Sequence, residues 1–89
     1  MSSIKQQFRV MSEYGLHARP ATVLAKIAID QDCATRMITK HGEADCGSVL
    51  SILMLGVEEG ETIEIVCSGQ DAESTMERLR QIPELELIA

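Results

Sequence analysis

Apolar and polar positions alternate at the start of the chain. Ile4, Gln6, Phe8 and Val10 fall on one side of an extended backbone and Lys5, Gln7 and Arg9 on the other, which predicts a strand with one wet face. After the turn residues Ser12 to Gly15 the period changes. Ala21, Leu24, Ala25 and Ala28 recur at helical spacing, predicting an amphipathic helix over residues 18 to 29. Asp30 to Asp32 break it, and Cys33, Thr35 and Met37 begin a second strand that turns at Lys40-His41-Gly42 and returns antiparallel through residues 43 to 46. Ser48 as N-cap and Gly56 as terminator bracket a two-turn helix. Beyond the polar turn Glu58 to Glu61, Ile63, Ile65 and Cys67 alternate with Thr62, Glu64 and Ser68 as far as Gly69, a fourth strand. Ala72, Met76, Leu79 and Ile82 form the last helical stripe, which Pro83 terminates.

The predicted order is βαββαβα, with no internal repeat and no linker, so the 89 residues read as one domain over 1–89. No strand is apolar on both faces. Helices must then cover one face of a largely antiparallel sheet whose other face stays wet, an α+β open-faced two-layer sandwich. A chain this short has enough apolar content for a core but not for a core plus a deep cleft, so its function is expected at the surface.

The formal charge of −6 arises from 14 acidic against 8 scattered basic residues, which argues against nucleic acid as a partner, since clustered Lys and Arg hold phosphate backbones. Cys33, Cys46 and Cys67 lack CxxC spacing and sit in or beside apolar stretches. They read as small core residues in a reducing compartment. The N-terminus is polar, and the longest apolar run falls far short of the roughly 20 residues of a membrane span. The expected location is the cytoplasm.

Against this acidic background one segment stands out: Gly15-Leu16-His17-Ala18-Arg19-Pro20-Ala21-Thr22, where a strand and turn feed the first helix. His17 falls at the N-cap, Ala18 at N1 and Pro20 within the first turn, where proline is tolerated because the first N–H groups have no intrahelical partner. Those free N–H groups at Ala18 and Arg19, with the positive end of the helix dipole, favour an anion. The Arg19 guanidinium adds a fixed charge with several donors suited to phosphate oxygens. An imidazole nitrogen with a free lone pair can attack phosphorus. The ingredients of a transient phosphohistidine thus lie within five residues.

This segment resembles the active-site signature of the histidine-containing phosphocarrier protein (HPr) family of the phosphoenolpyruvate-dependent phosphotransferase system. Ser48-Val49-Leu50-Ser51-Ile52-Leu53-Met54-Leu55-Gly56 is similar to the family's second signature, around a regulatory serine. The resemblance covers essentially the whole chain. It implies a four-stranded antiparallel sheet covered on one face by three helices. It further implies a carrier rather than an enzyme: His17 receives a phosphoryl group from enzyme I and passes it to EIIA domains of sugar permeases, with Arg19 stabilising the phosphate. No metal or cofactor belongs to such a carrier, and a monomer is expected. Ser48 becomes a candidate regulatory phosphosite for an HPr kinase/phosphorylase, although Gly47 stands where many members carry a basic residue.

His41 has no comparable company and reads as a solvated turn residue. Ser48 has a structural role as N-cap whatever else it does. Leu50, Leu53 and Met54 form a stripe of the kind usually buried, yet two turns of helix cannot hide all of residues 49, 50 and 52 to 55, so part must face outward. The expected partner-binding surface combines Val49, Leu50 and Leu53 with Thr22, Val23, Lys26 and Ile27 of the first helix. Two other functions fit the same sequence: a nitrogen-branch carrier (NPr), which Glu43-Ala44-Asp45 resembles, and a regulatory binding module that uses this surface without phosphoryl transfer.

Overall fold

The computed structural model describes residues 3–88. They form β1 (Ser3–Val10), α1 (Ala18–Asp30), β2 (Ala34–Thr39), β3 (Gly42–Asp45), α2 (Val49–Met54), β4 (Thr62–Ser68), α3 (Ala72–Leu79) and β5 (Leu85–Ile88). The strands make one antiparallel sheet in the order β3-β2-β4-β1-β5. Phe8 stands opposite Ile63 and Met37 opposite Ile65. Their side chains share the covered face, so the period-two pattern of each strand feeds one core.

The open-faced α+β sandwich is as expected, but the sheet has five strands rather than four. The last strand continues the chain beyond Pro83 and pairs with the free edge of β1, with Val10 opposite Leu85 and Phe8 opposite Leu87. Only Leu85 and Leu87 alternate with acidic residues there, too short a run to announce a strand. A neighbouring edge supplied the missing hydrogen bonds. α3 also stops at Leu79, short of the expected Ile82; turn hydrogen bonds from Gln81 and Ile82 N–H carry the chain on, and Ile82 stays in the core.

Phe8, Leu24, Met37, Ile52, Ile63, Ile65, Met76 and Leu79 are fully buried, each stabilising the fold by about 1.5–3 kcal/mol relative to exposure. Cys46 and Cys67 belong to this core as unpaired thiols. Burial pushes the Cys46 thiol up to about 12 and that of Cys67 to about 11, so both remain protonated and unreactive at neutral pH.

The buried face of α1 comprises Pro20, Ala21, Leu24, Ala25, Ile27 and Ala28. Ile27 therefore leaves the expected partner-binding surface: it follows Pro20 by seven residues and Leu24 by three, on the flank of the core stripe, and is 8% exposed. α2 packs beside α1 and anchors itself through Ile52, with Val49, Leu53 and Leu55 half-buried. Leu50 and Met54 face solvent at 68% and 78% exposure. Two of the three residues of the stripe thus turn outward, as expected of a helix too short to hide all its apolar residues, while Leu53 stays half-buried.

His41 is more constrained than a solvated turn residue. Its Nε2–H donates to Glu61 Oε1 at 2.9 Å, the Lys40 ammonium lies 2.9 Å from Glu61 Oε2, and the Glu58 N–H donates to Oε1 at 2.9 Å. Glu61 thereby ties the β2–β3 hairpin to the turn that precedes β4.

Candidate functional site

The turn from β1 into α1 is built around Gly15. Its φ of 68° is a left-handed conformation that side chains disfavour, and a Cβ there would overlap the Val57 carbonyl oxygen. Glycine is required on both counts. The Gly15 N–H donates to the Ser12 carbonyl at 2.9 Å and closes the turn; the Leu16 N–H donates to the Val57 carbonyl at 3.0 Å. Leu16 is buried. His17, the next residue, is thus held between an anchored leucine and the first turn of α1.

His17 is the N-cap of α1, with extended backbone (φ −79°, ψ −174°), and its side chain makes no cap hydrogen bond. Its carbonyl accepts the Ala21 N–H at 3.1 Å, the first bond of the helix. The N–H groups of Ala18 and Arg19 precede that bond and lack intrahelical partners, Pro20 having none to offer. The imidazole meets Tyr14 edge to face, with ring centroids 5.8 Å apart and planes at 86°. Neither ring nitrogen is engaged in a hydrogen bond or ion pair among the described residues. The ring is oriented by packing, and its nucleophilic atoms remain free.

Beside it lies a shallow depression of about 530 Å³ lined by Ser12, Glu13, Tyr14, His17, Arg19 and Glu84. Arg19 is exposed, with Nε 3.9 Å from Glu84 Oε2. The site therefore offers a nucleophile and a guanidinium on one open depression, at the helix end where the Ala18 and Arg19 N–H groups have no intrahelical partner. A tetrahedral oxyanion bonded to the ring would find complementary charge there.

α2 borders the site through the segment after it: Gly56, at φ 65°, turns the chain so that the Val57 carbonyl reaches Leu16. Leu50 on α2, with Thr22, Val23 and Lys26 on α1, is exposed, while Val49 and Leu53 are half-buried. The Thr22 hydroxyl donates to the Ala18 carbonyl at 2.6 Å. The Ser48 side chain accepts the Ser51 N–H at 3.2 Å and so caps α2, and Asp45 Oδ1 accepts the Gly47 N–H at 2.9 Å just before it.

The motif reading located His17, Ala18 and Arg19 but missed Tyr14, Val57 and Glu84. Tyr14, three residues before His17, was within reach of a local reading. The other two arrive through the loop after α2 and the approach to β5, for which no local signal exists.

Known proteins are similar to this chain in sequence and in fold. The chain is 34% identical over 79 residues to the phosphocarrier protein NPr of Shewanella violacea, spanning 89% of this chain and 87% of that one. It is 29% identical over 72 residues to the phosphocarrier protein HPr of Mycoplasma capricolum, spanning 81% of each. The solved structure of a mycoplasma histidine-containing phosphocarrier protein superimposes with a TM-score of 0.85 at 28% identity, over 89% of this chain and 90% of that one. The model of the family described as "PTS HPr component phosphorylation site" matches residues 4–84, and the chain thus belongs to the HPr family, the phosphocarrier proteins of the phosphotransferase system.

Proposed function

We propose that His17 is the phosphoryl-carrying residue: it takes a phosphoryl group from phospho-enzyme I and delivers it to EIIA domains of sugar permeases in the cytoplasm. The observation that carries this reading is the free imidazole at the N-cap of α1, beside the unpaired N–H groups of Ala18 and Arg19. In the forward step the lone pair of one ring nitrogen forms the N–P bond as the donor's bond to phosphorus breaks, its electron pair returning to the donor. The N–H on the other ring nitrogen is untouched. The Ala18 and Arg19 N–H groups and the Arg19 guanidinium donate to the phosphoryl oxygens, stabilising charge that is greatest in transfer. Onward delivery reverses these roles.

Partners would dock on the exposed Thr22, Val23 and Lys26 and on α2 at Val49, Leu50 and Leu53, where apolar area lies next to the nucleophile. Ser48 fits this surface as the α2 cap. The Gly47 N–H before it is held by the Asp45 carboxylate at 2.9 Å, and Gly47 offers an HPr kinase/phosphorylase no basic side chain at that position.

The test is incubation of the purified chain with enzyme I, magnesium and phosphoenolpyruvate. One acid-labile phosphate is expected, absent in His17→Ala with the fold intact; labelling that persists in the alanine variant would refute the assignment. The nitrogen branch is a second reading, favoured by the 34% identity to an NPr protein. Charging by the nitrogen-branch enzyme I in preference to the sugar-branch enzyme would select it.

A further inference from the structure

We infer that Cys33 and Cys67 form an oxidant-responsive dithiol: a peroxide oxidises Cys33, and the Cys67 thiol then closes a disulfide between the start of β2 and β4. The inference stands apart from the phosphoryl chemistry of His17. Thr35 of β2 is opposite Cys67 of β4, and Ala34 is opposite Ser68. Cys33, one residue earlier, continues this ladder toward Gly69, where a Cβ on the glycine would lie 3.0 Å from Cys33 Cα. By the period of two, Cys33, Thr35 and Cys67 all turn to the covered face of the sheet. The Thr35 hydroxyl lies 3.5 Å from Cys33 Sγ and donates to Cys67 Sγ at 4.0 Å, while Cys33 Sγ is also 3.1 Å from Thr75 Oγ1 of α3. The two thiols are thus diagonal neighbours gathered on one hydroxyl.

They differ in access. Cys67 is fully buried, whereas Cys33 is half-buried and lines two surface depressions of about 440 and 460 Å³. In the first step the Cys33 thiolate attacks a peroxide oxygen: an S–O bond forms, the O–O bond breaks, and the released hydroxide takes up a proton as water. The Cys67 sulfur then attacks Cys33 Sγ, an S–S bond forms, and the S–O bond breaks, the hydroxide leaving as a second water with the Cys67 proton. The thiols lose two electrons and the peroxide gains them. Burial first, with Cys33 beside it, holds the Cys67 thiol up at about 11, so Cys67 does not meet oxidant itself. It acts only on the neighbouring sulfenic acid, where effective concentrations of roughly 10⁵ M or more offset a scarce thiolate. Diagonal neighbours stand about 7–8 Å apart at Cα, slightly more than the roughly 6.8 Å that disulfides usually reach. Cys33 precedes the first residue of β2, so it can close that gap without breaking the ladder. Cys46 is the internal control. Its N–H donates to the Thr35 carbonyl at 2.9 Å, which puts it across β2 from Cys67, two strand spacings or about 9–10 Å away and out of reach. In a reducing compartment the bridge would be transient, undone by thiol exchange.

The experiment treats the fully reduced chain with hydrogen peroxide, alkylates the remaining thiols, and reads intact mass and peptide maps for the parent, Cys33→Ser, Cys46→Ala and Cys67→Ala, with circular dichroism alongside. The parent and Cys46→Ala should each lose the mass of two hydrogen atoms while staying monomeric, with the Cys33 and Cys67 peptides joined and separated again by a dithiol reductant. Cys33→Ser should form no bridge. Cys67→Ala should stop at a Cys33 sulfenic acid, which dimedone traps. A parent that gains oxygen on Cys33 without forming a bridge would overturn the inference; so would a bridge that includes Cys46, one formed only between two chains, or one that persists in Cys33→Ser. The parental peptide map decides the question even where a cysteine variant fails to fold.

Discussion

Gly15 and Gly56 share a left-handed backbone, at φ 68° and 65°, in different surroundings. A Cβ on Gly15 would overlap the Val57 carbonyl oxygen and lie 3.0 Å from Glu58 Cα, whereas on Gly56 it would meet nothing within 4 Å. Alanine at either site incurs the same left-handed strain, about 1 kcal/mol. At position 15 it must also push apart the segments joined by the 3.0 Å bond from Leu16 N–H to the Val57 carbonyl. Leu16 and Val57 are buried, so a bond broken there leaves polar groups unsatisfied at a cost of about 1–3 kcal/mol. Gly56→Ala should therefore destabilise by about 1 kcal/mol and Gly15→Ala by about 3 kcal/mol. For a domain of this size that separates melting-temperature losses of roughly 5 °C and roughly 15 °C. Urea denaturation and thermal melts measure the stability difference. Phosphotransfer kinetics measure the second consequence: the segment that moves in Gly15→Ala carries His17, and a displacement near 1 Å slows transfer by up to about a hundredfold. Gly56→Ala should transfer at close to the parental rate. Equal destabilisation by the two alanines, or parental transfer kinetics in Gly15→Ala, would refute the claim that the crowded loop pair positions the histidine.

Glu61 supplies a pH-dependent prediction. The Glu58 N–H, then Lys40 and His41, hold its carboxyl down from an ordinary 4.5 to about 2; a depressed folded-state value contributes stability that is full above about 4.5 and lost as pH falls toward about 2. Glu61→Gln should flatten the acid limb of the stability profile across that window, and an unchanged limb in acid titrations followed by circular dichroism would contradict the network. Ser48→Ala, which removes the acceptor of the Ser51 N–H, should cost about 1 kcal/mol in urea denaturation. Ser48→Asp should hold the parental stability while raising the apparent KM of enzyme I for the carrier, because the charge borders the apolar docking face; a parental KM would place docking elsewhere.

Period-two and helical spacing located three helices and four strands, because each has one face in a single core and its apolar residues repeat accordingly. The departures have separate physical origins. The stripe of Ala21, Leu24, Ala25 and Ala28, read as the whole buried arc, leaves Ile27 on the docking surface. The buried arc is wider than that stripe and includes Pro20 and Ile27. In α2 the expectation that some apolar residues face outward holds for Leu50 and Met54, but periodicity alone does not say which side of a short helix is inside: Leu53 is half-buried against the core and Ile52 is fully buried. β5 has too few residues to show a period and exists because β1 offered an edge.

The same division runs through the site. His17, Ala18 and Arg19 are consecutive, and the helix N-terminus that makes them receptive to an anion is a local property of the chain, so the chemistry could be read from a few residues. The groups that surround and position these residues come from elsewhere. Val57 arrives from the loop after α2 and is met by a glycine that only close approach explains. Glu84 arrives from the approach to β5 through a strand pairing whose register the sequence does not announce. A phosphoryl carrier needs both kinds of residue, a reactive group and a scaffold that holds it in place. On the function proposed above, the local motif is what accepts the phosphoryl group. The non-local contacts fix where the ring stands: the Leu16 N–H is anchored to the Val57 carbonyl at 3.0 Å, which holds His17 at the N-terminus of α1.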